Sequence, residues 1–209
     1  QGAVPVFVDS EKQTWNLDPE ALQAAIEDRM ARRGSKPAAV IAVHLYGMPA
    51  QMDPIRQICQ QYEIPLIEDA AEALGSRYKN QACGSLADLS ILSFNGNKII
   101  TTSGGGALLS NHEDWIRQAR FLATQARDAA PHYQHSQIGY NYRMSNVLAG
   151  IGRGQMEVLD ARVQARRAHY TYYREQLGSL PGIGWQEEAS DSFSNRWLTT
   201  ITLNPALSG

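Results

Sequence analysis

With 209 residues, 43% of them hydrophobic and 19% charged, the chain is long enough for one or two domains with a sizeable core. A formal net charge of -2 and a pI near 6.2 provide no basic face for nucleic acid. No apolar run approaches the roughly 18 residues of a membrane-spanning helix. Cys59 and Cys83 lack metal-ligand spacing and are too few for a disulfide framework, so a reducing cytoplasm is the expected compartment.

Residues 4–8 form a short apolar run of strand character. A strand-like stretch this close to Gln1, and another close to the opposite end, read as an internal piece of a longer protein. "LDPEALQAAIEDRMARRG" predicts a helix with Asp18 as N-cap, Pro19 at its first position and Gly34 as its stop. "AAVIAVH" (38–44) is a continuous apolar run, the pattern of a strand covered on both faces. "MDPIRQICQQY" repeats the Asp-Pro helix start at Asp53 and Pro54, and "IPLIED" (64–69), "DLSILSF" (88–94) and "GALLS" (106–110) read as further strands. Strand–helix–strand repetition of this kind predicts a mostly parallel sheet between helical layers.

After Asn111 the character changes. "NHEDWIRQARFLATQAR" reads as a helix opened by Asn111, and "DAAPHYQHSQIGYNYRM" as a long polar, aromatic-rich loop of the kind that is usually functional or flexible. The stretch from Ser145 to Leu180 is helical in two segments, with Ser145 as N-cap, and "RWLTTITL" (196–203) alternates like a half-buried strand.

Ligands of open parallel sheets bind beyond the carboxyl ends of the strands. His44, Glu68, Asp69 and Ser93 all fall at such ends, and Lys98 follows shortly after Ser93. A buried carboxylate there needs a partner. Asp69 is therefore either an N-cap for "AAEAL" or the charge partner of a cationic ligand atom. Lys98 taken alone is a solvated loop lysine; set in an uncharged stretch between two strands, it is also a candidate nucleophile, because desolvation activates an amine. The glycine run 104–106 fits neither G-x-G-x-x-G nor the phosphate-loop spacing, so it reads as a tight turn. His132 and His135 match no metal motif.

Four segments in order, "HLYGMPAQMDPI", "IEDAAEALGS", "SFNGNKIITTSGGG" and "IGYNYRMSNVLAGIGRGQ", resemble the DegT/DnrJ/EryC1/StrS family of pyridoxal-phosphate sugar aminotransferases. The Asn-Gly-Asn-Lys form followed by Thr-Thr-Ser-Gly-Gly-Gly is most similar to the branch that aminates UDP-linked 4-keto-6-deoxy-N-acetylhexosamines, the bacillosamine type. The resemblance implies a three-layer α/β/α large domain of the aspartate aminotransferase type I fold over residues 1–160, its N-terminal part missing. Residues 161–209 would then be a connecting helix and the beginning of a small C-terminal α/β domain.

Position by position, the resemblance gives Lys98 as the lysine that carries pyridoxal 5'-phosphate as a Schiff base and then moves protons. Asp69 matches the partner of the pyridine nitrogen, and Ser93 a hydroxyl on the cofactor phosphate. Asn141 matches an asparagine that reaches the phosphate from the other subunit of a homodimer. Glu72 stands where relatives often carry Gln or His over the ring face, a departure from the pattern. Glutamate as amino donor and a nucleotide-linked keto sugar as acceptor are the implied substrates, with no metal, nucleic acid or membrane partner. Three other readings stay open: a family member acting on another keto sugar or a cyclitol, an inactive aminotransferase-like scaffold, and a nucleotide-binding doubly wound domain using the glycine run.

Overall fold

A computed structural model of the chain describes residues 2–208. The first helix, α1 (Pro19–Arg33), forms for the reasons legible in its sequence. The Asp18 carboxylate accepts the N–H groups of Glu20 at 2.8 Å and Ala21 at 3.4 Å, two donors that the first turn cannot satisfy itself. Gly34 closes the helix at φ 66°, donating to Met30 O at 2.9 Å. Leu22 and Ile26, one turn apart, are buried, each contributing about 1.5–3 kcal/mol by leaving water.

There follow β1 (Val40–Val43), α2 (Met52–Gln61), β2 (Leu66–Asp69), a short hairpin of β3 (Arg77–Tyr78) and β4 (Gln81–Ala82), then β5 (Leu89–Ser93) and β6 (Gly106–Leu109). The main sheet has the order β1-β2-β5-β6; β1, β2 and β5 run parallel, and β6 returns antiparallel along β5. Val43 stands opposite Asp69, and Asp69 opposite Ile91, so the carboxyl ends of the three parallel strands share one edge. Leu22 and Ile26 of α1, and Met52, Ile55, Ile58 and Cys59 of α2, form a continuous core with Val40, Ala42 and Leu66.

Five details differ from the sequence reading. Residues 4–8 form no strand; Val4 and Phe7 are exposed and have no sheet neighbour among the described residues. The β1 strand is not covered on both faces: Val40 and Ala42 are buried whereas Ile41 is 58% exposed, because α1 and α2 pack on the same side. The α2 helix begins at Met52 with Gln51 before it, and Asp53 is drawn instead to Lys79 Nζ at 2.6 Å. Helix α3 (Glu113–Ala123) starts after His112, so Asn111 is not its cap. The segment 196–203 supplies strand only at its end, where Arg196, at φ 51°, breaks the extended path.

Beyond the loop 124–145 stand α4 (Asn146–Met156) and α5 (Leu159–Leu177), with Ser145 Oγ accepting from Leu148 N at 3.3 Å as the cap. The chain then forms β7 (Ile183–Trp185), β8 (Ser192–Phe193), β9 (Ile201–Leu203) and α6 (Pro205–Ser208). This last stretch docks back on the first half. Gln186 Nε2 donates to Thr14 O at 2.8 Å, and β8 pairs antiparallel with β3. Arg167 of α5 grips Glu188 with both terminal nitrogens, at 2.6 and 3.1 Å, and donates to Ser194 O at 2.6 Å. No helix among the described residues is long and apolar enough to cross a membrane.

Candidate active site

Neighbouring residues of a strand point to opposite faces, so Glu68 and Asp69 serve different sides of the sheet. Glu68 turns into the protein and is fully buried. Its Oε1 accepts from His44 Nε2 at 2.9 Å and Gly84 N at 2.5 Å; its Oε2 accepts from Leu86 N at 2.8 Å and Ser90 Oγ at 2.7 Å. Burial alone would raise this carboxyl, but the hydrogen bonds from His44 and from the Gly84 and Leu86 backbone outweigh it and hold it below the ordinary carboxylate range. Ala50 N donates to His44 Nδ1 at 3.0 Å, which leaves the ring proton on Nε2, facing Glu68. The Cys83 thiol lies close enough to complete a metal-sized group with His44 and Glu68. Burial, with the Glu68 charge beside it, pushes that thiol far up, and the His and Glu donors and acceptors are already mutually satisfied. The trio is a buried brace under the strand ends.

Asp69 faces the other way and is half-buried, with Oδ1 accepting from Ala71 N at 3.1 Å. Residues 70–76 form tight turns and no helix, so Asp69 caps a turn and not the "AAEAL" helix. Ser93 closes β5 opposite Gly106, its Oγ accepting from Asn95 N at 3.3 Å. The loop between β5 and β6 is pinned by its own backbone: Phe94 N donates to Gly105 O, Lys98 N to Asn95 O, and Thr102 N to Phe94 O, all within 3.0 Å. The glycines are its turn into β6. Gly105 sits at φ 91°, and a Cβ on Gly106 would overlap Leu92 O across the ladder.

Lys98 is not solvated. Its side chain is 13% exposed, with Nζ 3.4 Å from Glu72 Oε1 and 4.3 Å from the centre of the Trp197 indole. Glu72 is fixed in turn, its Oε2 accepting from Tyr46 N at 2.7 Å. Trp197 donates through Nε1 to Asn97 O at 2.7 Å. Asn195, wholly buried, donates to Glu72 O at 2.8 Å and Leu74 O at 2.9 Å, and accepts from Trp197 N at 2.8 Å. Ser76 links Asn195 N to Gly47 O, tying in the single helical turn Leu45–Gly47 that follows β1.

The structure thus brings Lys98 and Glu72 into contact, with Asp69 and Ser93 at the ends of adjacent strands. Asn141 stands apart: it is exposed on the 124–145 loop, bridged through its backbone to Thr124, with no described bond to the Lys98 group. His132 and His135 turn to Gln134 and to Gln125 O respectively. Asn195 and Trp197 were not foreseen; a tryptophan two residues after an asparagine in an alternating stretch carries no signal of where it docks.

A mostly parallel sheet that gathers an amine, carboxylates and a hydroxyl at the carboxyl ends of neighbouring strands places the chain among open α/β proteins whose ligand site lies at that edge. More narrowly, the chain belongs to the DegT/DnrJ/EryC1/StrS aminotransferase family, whose model matches residues 1–207. It is 57% identical over 206 residues to EpsN of Bacillus subtilis (strain 168), covering 99% of this chain and 53% of that protein. It is 38% identical over 208 residues to a GDP-perosamine synthase of Caulobacter vibrioides, covering 99% of this chain and 54% of that one. A DegT DnrJ EryC1 StrS aminotransferase from Brucella abortus superposes with a TM-score of 0.90 at 27% identity, over 98% of this chain and 54% of that one. The chain spans about half the length of the curated relatives it matches. Its fold is that of these sugar aminotransferases, in agreement with the α/β class read from the sequence.

Proposed function

We propose that the chain forms the cofactor-bearing part of a pyridoxal-phosphate-dependent aminotransferase that moves an amino group from glutamate to the C4 ketone of a nucleotide-linked 4-keto-6-deoxy sugar. The observation that carries this reading is a half-buried carboxylate closing β2 and a lysine only 13% exposed just past β5, the strand beside it in the sheet. Family membership and the likeness to a GDP-perosamine synthase support a nucleotide sugar as acceptor. The "NGNK" and "TTSGGG" segments favour the UDP-linked N-acetyl form of it.

The donor set fits the cofactor: an amine for its aldehyde, an acid for its ring nitrogen and a hydroxyl for its phosphate. When bound, pyridoxal phosphate supplies an electron sink that lets a proton leave the donor's Cα. Asp69 would face the ring nitrogen and keep it protonated, its burial offset by that positive partner. Ser93 would meet the phosphate. Lys98 would hold the cofactor through its amine and, once displaced by the donor, would accept the proton that leaves the donor's Cα. Glu72, 3.4 Å from Nζ, orients that amine. Asn141, exposed and free of the Lys98 group, is assigned to the site of a second subunit in a homodimer. Residues 1–160 form the large domain on this reading, and 161–209 begin the small one.

The test is absorbance and turnover of the purified protein. A visible band that forms with pyridoxal phosphate and bleaches with glutamate is expected, and Lys98→Ala should abolish the band and lower turnover by at least about 100-fold. UDP- and GDP-linked keto sugars compared side by side read the acceptor. Normal turnover in the alanine variant would sink the assignment.

A further inference from the structure

The four residues 194–197 are a strap that arrives from far along the chain and locks onto both loops bearing the Lys98 group. Asn195 holds the main chain of Glu72 and Leu74, and Trp197 holds the main chain of Asn97, next to Lys98. The indole is 6% exposed, so it cannot swing away without opening the cluster of Ile99, Ile100 and Val163 against which it packs. Its ring centre stands 4.3 Å from Lys98 Nζ, within the range where a cation is attracted to an indole face. Two neighbours therefore fix where the Lys98 amine waits: a carboxylate that is itself pinned by Tyr46 N, and an aromatic face pinned through its indole N–H to Asn97 O and through the Trp197 backbone N–H to Asn195.

We propose that Trp197 is a positioning residue for Lys98, its indole face holding the free amine at the edge of the site while Asn97 O fixes the indole and Asn195 the Trp197 main chain. The proposal rests on the reading of Lys98 as the working amine. The role belongs to the intervals when Lys98 is not covalently engaged, the intervals in which it moves a proton. Of the proposed site residues Trp197 faces the Lys98 amine alone, so it acts through Lys98. An amine left to wander over its rotamers would meet the donor's Cα less often, with little effect on how tightly substrate binds.

The experiment compares wild type, Trp197→Phe and Trp197→Leu. In cofactor-free protein, the rate of reductive methylation by formaldehyde and cyanoborohydride is read at each lysine by peptide mass spectrometry, with Lys36 and Lys79 as internal references. Trp197→Leu should speed modification of Lys98 by about threefold or more, leaving Lys36 and Lys79 unchanged. Trp197→Phe, which keeps an aromatic face, should stay nearer wild type. In the loaded enzyme the leucine variant should lose kcat with KM little changed, and phenylalanine should restore most of it. Equal Lys98 rates in wild type and the folded variants overturn the proposal. If the leucine variant does not fold, Trp197→Met, which also removes the aromatic face at similar volume, is read in its place by the same criterion. The labelling arm contains no cofactor and no substrate, so its failure is distinct from failure of the aminotransferase reading, which Lys98→Ala turnover tests.

Discussion

Replacing Glu68 by glutamine tests whether the buried brace supports the strand ends. The oxygen pair of Glu68 receives two donors on each side, from His44 and Gly84 on Oε1 and from Leu86 and Ser90 on Oε2. An amide must present its NH2 to one of these sides. Facing His44 and Gly84 it meets two donors, because His44 Nδ1 is held by Ala50 N–H and the ring proton cannot move there without stranding that bond. Facing Leu86 and Ser90 it loses less: the serine hydroxyl can rotate to accept, and only the Leu86 N–H is left without a partner. One unpaired buried donor costs about 1–3 kcal/mol. For a domain of this size that lowers Tm by about 2–12 °C. The pH dependence has a definite sign. The Glu68 carboxyl lies below its ordinary value of 4.5 in the fold, so its stabilisation is complete above that value and fades as pH falls through the folded one. The gap between wild type and Glu68→Gln should therefore be widest near neutrality and narrow in acid. Thermal unfolding followed by circular dichroism from pH 7 downward reads both. A variant within about 1 °C of wild type at pH 7, or a gap constant into acid, would refute the account.

Gly47→Ala should cost about 2–4 kcal/mol, since φ is 86° there and the new Cβ would overlap Asn195 Oδ1; denaturant unfolding measures it. Asp18→Ala should cost about 1 kcal/mol by removing the α1 cap, with Asp18→Asn nearly neutral, read by the same unfolding curve. Arg167→Lys should lose about 1–3 kcal/mol, because a single ammonium cannot grip both Glu188 oxygens and Ser194 O at once. Desolvation works against the Glu188 carboxyl, but Arg167 and the Ser194 N–H hold it below its ordinary range, so this loss too should shrink in acid.

The features legible in the sequence are those encoded over a few neighbouring residues. The Asp-Pro start and Gly stop of α1, and the apolar runs of β1, β2 and β5, are local patterns that packing did not override. Local pattern failed where a tertiary partner claimed the residue first: Asp53 was taken by Lys79 instead of capping α2, and Arg196 and Trp197 left the extended path to dock against α5 and the Lys98 loop. Likewise, Glu68 and Asp69 are indistinguishable as letters at a strand end. Only the alternation of side chains about the sheet separates the one that braces from the one that faces the opposite side. The contact of Lys98 with Glu72 joins residues 26 positions apart, and that with the Trp197 segment about a hundred, beyond the reach of any spacing rule.

The strap also sets a schedule for synthesis. Trp197 reaches Asn97 across 100 positions, Asn195 reaches Glu72 across 123, and Gln186 reaches Thr14 across 172. A ribosome adding about 5–20 residues per second makes Lys98 roughly 5–20 seconds before it makes the tryptophan that packs beside it. Throughout that interval Ile99 and Ile100 lack the indole that later covers them. The growing chain thus carries an incompletely covered apolar patch at Ile99 and Ile100 while α3, α4 and α5 emerge.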